Sequence, residues 1–243
     1  YFSRESIGEA WFEEAKKHVK FPSNNLDDPD TRAEINLIRL LTRLIFVWFI
    51  KQKDFVPSKL FNPTFLAQIL HNFDPINNHS SFYHAILQNL FFATLNRPTI
   101  DETDPNEKRA FVPNKSYQGK NTGYGVKNLF RYADKFSITQ QQVLHLFEPI
   151  PFLNGGLFDC LDKTEANINI DGFSTTPSKQ AHVPNYLFFY NYQPNKPNQI
   201  FESNGLIQIL ERYKFTVTEN TPIEQEIALD PELLGKVFEN LLA

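Results

Sequence analysis

Apolar residues recur at helical spacing through the first half of this chain. Ile7, Trp11, Ala15 and His18 step by three or four positions, which predicts a helix near 5–19. A longer one follows over 31–53, "TRAEINLIRLLTRLIFVWFIKQK", with Asp30 as its expected cap. Its stripe runs through Ile35, Ile38, Leu41, Leu44, Ile45, Trp48 and Phe49, and from Leu44 onward it is apolar all round, the mark of a central core helix. Asn62-Pro63 opens a third helix carrying Leu66, Ile69 and Leu70. Ser80 or Ser81 opens a fourth, with Phe82, Ile86, Leu90 and Ala93 on one side. Trp48, Phe49, Phe82, Leu90 and Phe91 are the expected centre of the core.

The pattern breaks over 97–125, where Pro, Gly, Asn and charged residues predict a long loop. Beyond it the chain mixes short elements. Ser137 and Gln140 have the spacing of a capping box for a helix to about 147. "PFLNGGLF" fits a tight hairpin at Asn154-Gly155 or a helix C-cap, 162–182 reads as loop, and "VPNYLFFY" reads as a strand. Asn204 is placed to cap a helix to about 212, "YKFTVT" suggests a strand, and Thr221 with Glu224 a further capping box. The last segment, "LDPELLGKVFENLLA", starts a helix at Asp230-Pro231 and puts Leu233, Leu234, Val237, Phe238, Leu241 and Leu242 on one face, with no stop signal. The sum is a mainly α, multi-helix fold with a few short β-strands or a hairpin. Its expected parts are a helical core over 1–96, a basic loop over 97–125, and a smaller α+β part over 126–243 packed on the core, the whole being one domain or close to it.

Composition narrows the function classes. The 243 residues are 41% hydrophobic and include 24 Phe, enough to bury a core, and the net charge of −4 argues against a uniformly basic nucleic-acid binder. A single cysteine leaves no disulfide framework and suits a reducing, cytoplasmic setting. The longest apolar run, Leu44–Ile50, is far too short for a membrane span, so no membrane partner is expected. Absence of methionine, with Tyr1 as first residue, suggests a piece of a longer protein.

Several segments imitate catalytic motifs, and each has a plainer reading. "NPTF" at 62–65 has the order of an amino-methyltransferase signature, but no glycine-rich cofactor turn precedes it, and Asn62-Pro63 is an ordinary helix start. "PDTRAE" at 29–34 puts Asn36 where a nuclease core wants lysine. "GKNT" at 119–122 lacks the upstream glycine of a phosphate-binding loop. Six histidines and one cysteine give no zinc spacing, His84 beside an apolar stripe reads as a core residue, and Cys160 between Asp159 and Asp162 reads as an inert structural thiol. No catalytic, cofactor-binding or metal-binding residue is assigned.

Charge is unevenly spread. Between 108 and 135 lie Lys108, Arg109, Lys115, Lys120, Lys127, Arg131 and Lys135 against Asp134 alone, interleaved with Tyr117, Tyr124, Phe130 and Tyr132. Such a stretch can neutralise phosphates, and Lys115, Lys120, Lys127 and Arg131 are the candidate DNA contacts. Residues 200–243 carry three basic and eight acidic side chains, a better match to a protein surface than to DNA.

Four blocks, "INLIRLLTRLIFVWFIKQK", "FYHAILQNLFFATLN", "IPFLNGGLFDCLD" and "RYKFTVTENTPIEQEIALDPELLGKVFENLLA", together resemble the helical region of large bacterial type IIG restriction–modification enzymes. The likeness extends from about Ile35 to Ala243. It implies a spacer between an N-terminal endonuclease and a C-terminal adenine-specific DNA methyltransferase. It also implies that S-adenosylmethionine and Mg2+ serve those neighbours, that the partners are double-stranded DNA and the two flanking domains, and that the last helix leads into the methyltransferase. The alternative is an interdomain packing module that never touches DNA.

Overall fold

In this computed structural model the described residues are 11–22, 28–98, 108–113, 127–153, 156–163, 166–189 and 205–211, with the backbone pairs 116–117 and 120–121. The fold is mainly α, with little strand. Helix α1 spans 11–18, α2 Pro29–Gln52 and α3 Pro63–Ile69. A buried helix runs over 81–95, followed by α4 (Gln140–Phe147), α5 (Tyr186–Phe189) and α6 (Leu206–Glu211). The only strands among the described residues are β1 (Ser116–Tyr117) and β2 (Lys120–Asn121), an antiparallel pair with Tyr117 opposite Lys120. They fall inside the segment expected to be loop. Among the described residues no helix is long and apolar enough to cross a membrane.

Local chemistry explains where these helices start. Asn62 caps α3 through its side-chain oxygen, which accepts from the N–H groups of Thr64 and Phe65, with Pro63 at the first helical position. The cap of α2 is Asp28, not Asp30: Pro29 fills the first position, and the Asp28 carboxylate accepts from Asp30 and Thr31. Likewise the capping box of α4 is Thr139 with Gln142, not Ser137 with Gln140. Ser137 instead donates its hydroxyl to the Gln68 carbonyl at the end of α3.

Helix α2 is rotated from the expected face. Leu44 and Trp48 are buried, but Ile35 and Ile38 are 41% and 38% exposed, while Asn36 and Arg43 lie inside with Ala33, Leu37, Leu40 and Val47. Before Leu44 the apolar stripe is interrupted by polar residues, and the partners that Arg43 finds elsewhere in the chain set the rotation instead.

The buried helix 81–95 is the axis of the fold. Most of its turns, Phe82–Gln88 and Phe91–Leu95, have the wide i→i+5 pattern of a π-helix. Apart from the Nδ1 of His84, its buried polar side chains find partners in the core. Asn89 donates to the carbonyls of Ala85 and Arg131 and accepts the Arg131 N–H, and Gln88 donates to the Asp171 carbonyl and accepts the Tyr132 hydroxyl. These bonds tie segments 128–132 and 170–173 to the axis.

Residues 183–190, expected as a strand, form α5 over Tyr186–Phe189 instead. The β-favouring aromatics lose to Asn185, which is fully buried. It donates to the Asp74 carbonyl, the Asn77 side chain and the Ser81 hydroxyl, accepts from the Phe82 N–H, and so joins the start of the axis to the start of α5. Ring contacts then run from Trp48 through Phe61 and Phe82 to Phe188 and Phe189, with centroids 4.8–6.3 Å apart. One contiguous buried cluster reaches from Trp11 to Leu210. The hairpin or C-cap reading of Asn154-Gly155 and the elements expected beyond residue 211 lie outside the described residues. Gly156–Phe158 is a single 3₁₀ turn.

His84 lies on this axis, stacked on Tyr132 at 4.9 Å, with Nε2 2.6 Å from the Ala181 carbonyl and Nδ1 without a partner. Burial opposes its charge and lowers its pKa from 6.5 to about 4, the Ala181 bond only partly countering. As pH falls below 6.5 the unfolded chain therefore takes up this proton while the folded chain does not. The expected result is a loss of roughly 3 kcal/mol of stability between pH 6.5 and pH 4, levelling off below. Urea midpoints at pH 7 and pH 4 check this: the His84→Gln variant should lose much less over that range, and an equal loss would remove His84 as the cause.

Candidate functional site

The cluster nearest in type to a metal or catalytic centre is Cys160, Asp162 and Asp171, whose ligand-type atoms lie within 4.8 Å of one another. Its chemistry is already spent within the fold. Asp162 Oδ1 accepts from the N–H groups of Ile170, Asp171 and Gly172 at 2.6, 2.8 and 3.1 Å, and Oδ2 from Phe173 at 2.8 Å. Gly172 makes that bend at φ 63°, where a Cβ would lie 2.4 Å from the Ala181 nitrogen. Asp171 Oδ1 meets Arg43 Nη1 at 2.6 Å and Oδ2 takes the Leu161 N–H at 2.7 Å. Arg43 completes its fork on the carbonyls of Leu157 and Asp159.

The donor set does not fit Mg2+. Both oxygens of each carboxylate already face N–H groups or a guanidinium, and Arg43 would repel a divalent ion. Burial alone would lower the Arg43 guanidinium, but the Asp171 carboxylate more than offsets this and holds it above its usual value. Burial and the neighbouring Asp171 raise the Asp162 carboxyl, against the pull of its N–H donors. Burial also pushes the Cys160 thiol far up, and the two carboxylates add to it, so the sulfur is a poor nucleophile. The cluster is a polar clamp that holds 157–161 and 170–173 on α2.

Of the candidate DNA contacts, Lys115 lies outside the described residues, and Lys120 is described only as backbone in β2. Lys127 is exposed. Arg131 is 9% exposed: its guanidinium lies 4.0 Å over the Phe173 ring and donates to the Leu129 carbonyl, and burial lowers its pKa. Arg109, counted in the same basic stretch, is buried too. Its guanidinium donates to the carbonyls of Thr94, Arg97, Phe147 and Ile150 at 2.8–3.1 Å, closing the ends of the axis and of α4. Burial brings its pKa down to about 10. Two of the seven cations are thus internal fasteners.

Lys127 borders an open groove of about 470 Å3 with Asn96, Asp159, Cys160, Leu161, Lys163 and Ile170. The groove draws on the end of the axis, the segment before Arg131, and the clamp. Among the described residues, the side chains of Lys127, Lys163 and Asn96 make no ion pair or hydrogen bond. With the Asp159 carboxylate, they are the polar side chains here that remain available to a ligand.

The chain is 26% identical over 223 residues to a protein of Methanocaldococcus jannaschii named "Putative type II restriction enzyme and methyltransferase". It is thus similar to a restriction–modification enzyme. The aligned stretch is 90% of this chain but 13% of that relative, so the chain spans a small part of the length of the protein it matches. No family model matches the sequence, and no solved structure matches it either.

Lys163 and Asn96 carried no signal in the sequence. Lys163 stands among Asp159, Asp162 and Glu165, which reads as a neutral or acidic turn, and Asn96 ends an apolar helix. Folding turns Asp162 inward onto backbone N–H groups, while Asp159 stays beside Lys163 on the groove.

Proposed function

We propose that this chain is the helical connector of a type IIG restriction–modification enzyme, holding an endonuclease and an adenine-specific DNA methyltransferase at a set separation and touching the DNA backbone between them. The observation that carries this reading is the match along 90% of the chain to a restriction–modification relative of which it spans 13%. The mechanism is positional. The single core, pinned by Arg43, Arg109 and Asn185, makes a stiff body, and Lys115, Lys120 and Lys127 supply phosphate contacts that carry no base information. S-adenosylmethionine and Mg2+ belong, on this reading, to the flanking domains.

The 243-residue chain should bind duplex DNA weakly, with an association constant that falls linearly in log–log form as salt rises. Fluorescence anisotropy with a labelled duplex between about 50 and 200 mM salt tests this. A chain that shows no salt-sensitive binding at micromolar concentration removes the DNA role. The second reading, a packing module alone, would then stand, and the exposure of Ile35 and Ile38 on α2 favours it.

A further inference from the structure

We infer that the groove between Asn96, Lys127 and Lys163 seats one phosphodiester of a DNA strand, with Lys163 as a phosphate-binding residue and Asp159 as a brake on affinity. This rests on the DNA-contacting reading above and names where the contact is made.

Three features of the groove point to such a ligand. First, its two ammonium groups come from separate segments, at 127 and 163, and neither is neutralised by the Asp159 carboxylate on the same rim, since no ion pair joins them. Among the described residues the groove therefore keeps a net positive charge of one, with unspent donors. Second, the Asn96 amide adds a neutral donor with no bond of its own. Two ammoniums and an amide suit the charged and bridging oxygens of a phosphodiester, which carries a single negative charge. Third, Leu161 and Ile170 line the same groove, giving the sugar carbons beside the phosphate an apolar surface. A compact, fully hydrated anion would gain nothing from that surface.

The groove is also stiff where it needs to be. Two of its lining residues, Asp159 and Leu161, are held through their backbones by the Arg43–Asp171 clamp. Lys163 is set by a backbone exchange with Ile168 in which each N–H reaches the other's carbonyl at 2.8 and 3.0 Å. At Lys163 the cost of ordering on binding thus falls on the side chain.

The test uses the 243-residue chain and a fluorescein-labelled 20-base-pair duplex, titrated by anisotropy at several salt concentrations. Lys163→Gln should weaken binding roughly three- to tenfold at low salt and lower the salt slope by about one, as should Lys127→Gln. Asp159→Asn should tighten binding roughly two- to fivefold, the range of a solvent-exposed charge pair. This gain cannot come from misfolding. Lys53→Gln, an exposed lysine at the far end of α2, should change neither affinity nor slope beyond the general loss of one charge. If the duplex binds with a salt slope that Lys163→Gln and Asp159→Asn leave untouched, the groove is not the seat, although DNA contact elsewhere on the chain stands. If the duplex does not bind at all, both readings fall.

Discussion

Replacing Arg43 by methionine is expected to cost about 3–5 kcal/mol of folding stability, read as a lowered urea midpoint at pH 7. The guanidinium is 6% exposed, pairs with Asp171 at 2.6 Å, and donates to two carbonyls of the 157–159 turn. Methionine fills most of the volume but leaves Asp171 as an uncompensated buried carboxylate. Asp171→Asn should cost a similar amount, because it strands the guanidinium while preserving shape. The double variant Arg43→Met, Asp171→Asn should then cost clearly less than the sum of the two, since no lone charge stays buried. Single losses below about 1 kcal/mol would mean that the pair is hydrated and does not hold the turn. The groove is built on this turn, so the Arg43 variant should also loosen its rim, with faster amide exchange at Leu161 and Lys163.

The second large effect is expected at Arg109. Arg109→Leu removes the donors of four buried carbonyls, on Thr94, Arg97, Phe147 and Ile150, at a cost of roughly 4 kcal/mol or more. No carboxylate among the described residues pairs with this guanidinium, so its charge rests on carbonyl dipoles at the ends of two helices, the end at which a helix favours a cation. Arg109→Lys keeps the charge but loses the fork. It should recover only part of the stability, because one ammonium cannot reach carbonyls on both sides. Denaturation curves for the two variants check the order: wild type above lysine, lysine above leucine. Equal stability of the lysine variant and wild type would show that charge alone suffices. The neighbouring backbone pairs Phe111 with Phe130, so the anchor also fixes where the chain re-emerges toward Lys127.

These two arginines show why the basic segment was only half legible. A count along 108–135 treats each cation as a surface charge, yet Arg109 and Arg131 carry planar, weakly hydrated groups that carbonyls and the Phe173 ring can satisfy inside. Lys127 is the member of the candidate set whose side chain the structure describes as exposed, and it meets Lys163 only through folding. Helix positions read better than helix faces. Asn62-Pro63 and the apolar run after Ser81 placed α3 and the axis, because a cap and a periodic stripe act within a few residues. The caps of α2 and α4 were each misplaced by two residues, among neighbouring side chains that could all accept.

By itself, then, the amino-acid order determined that this chain is mainly helical and that Trp48, Phe82, Leu90 and Phe91 lie at its centre, whereas Phe49, expected with them, is only partly buried against the core. Those properties follow from local spacing and from the quantity of apolar surface to be hidden. Only the tertiary structure decided the rotation of α2, the wide turns of the axis, the helical state of Tyr186–Phe189 and the grouping of Asn96, Lys127 and Lys163. Each of these depends on a polar group finding a partner distant in sequence, Arg43 with Asp171, Gln88 with Tyr132, Asn185 with Phe82. The free energy of such a pairing belongs to the pair and not to either residue, so neither local sequence carries it.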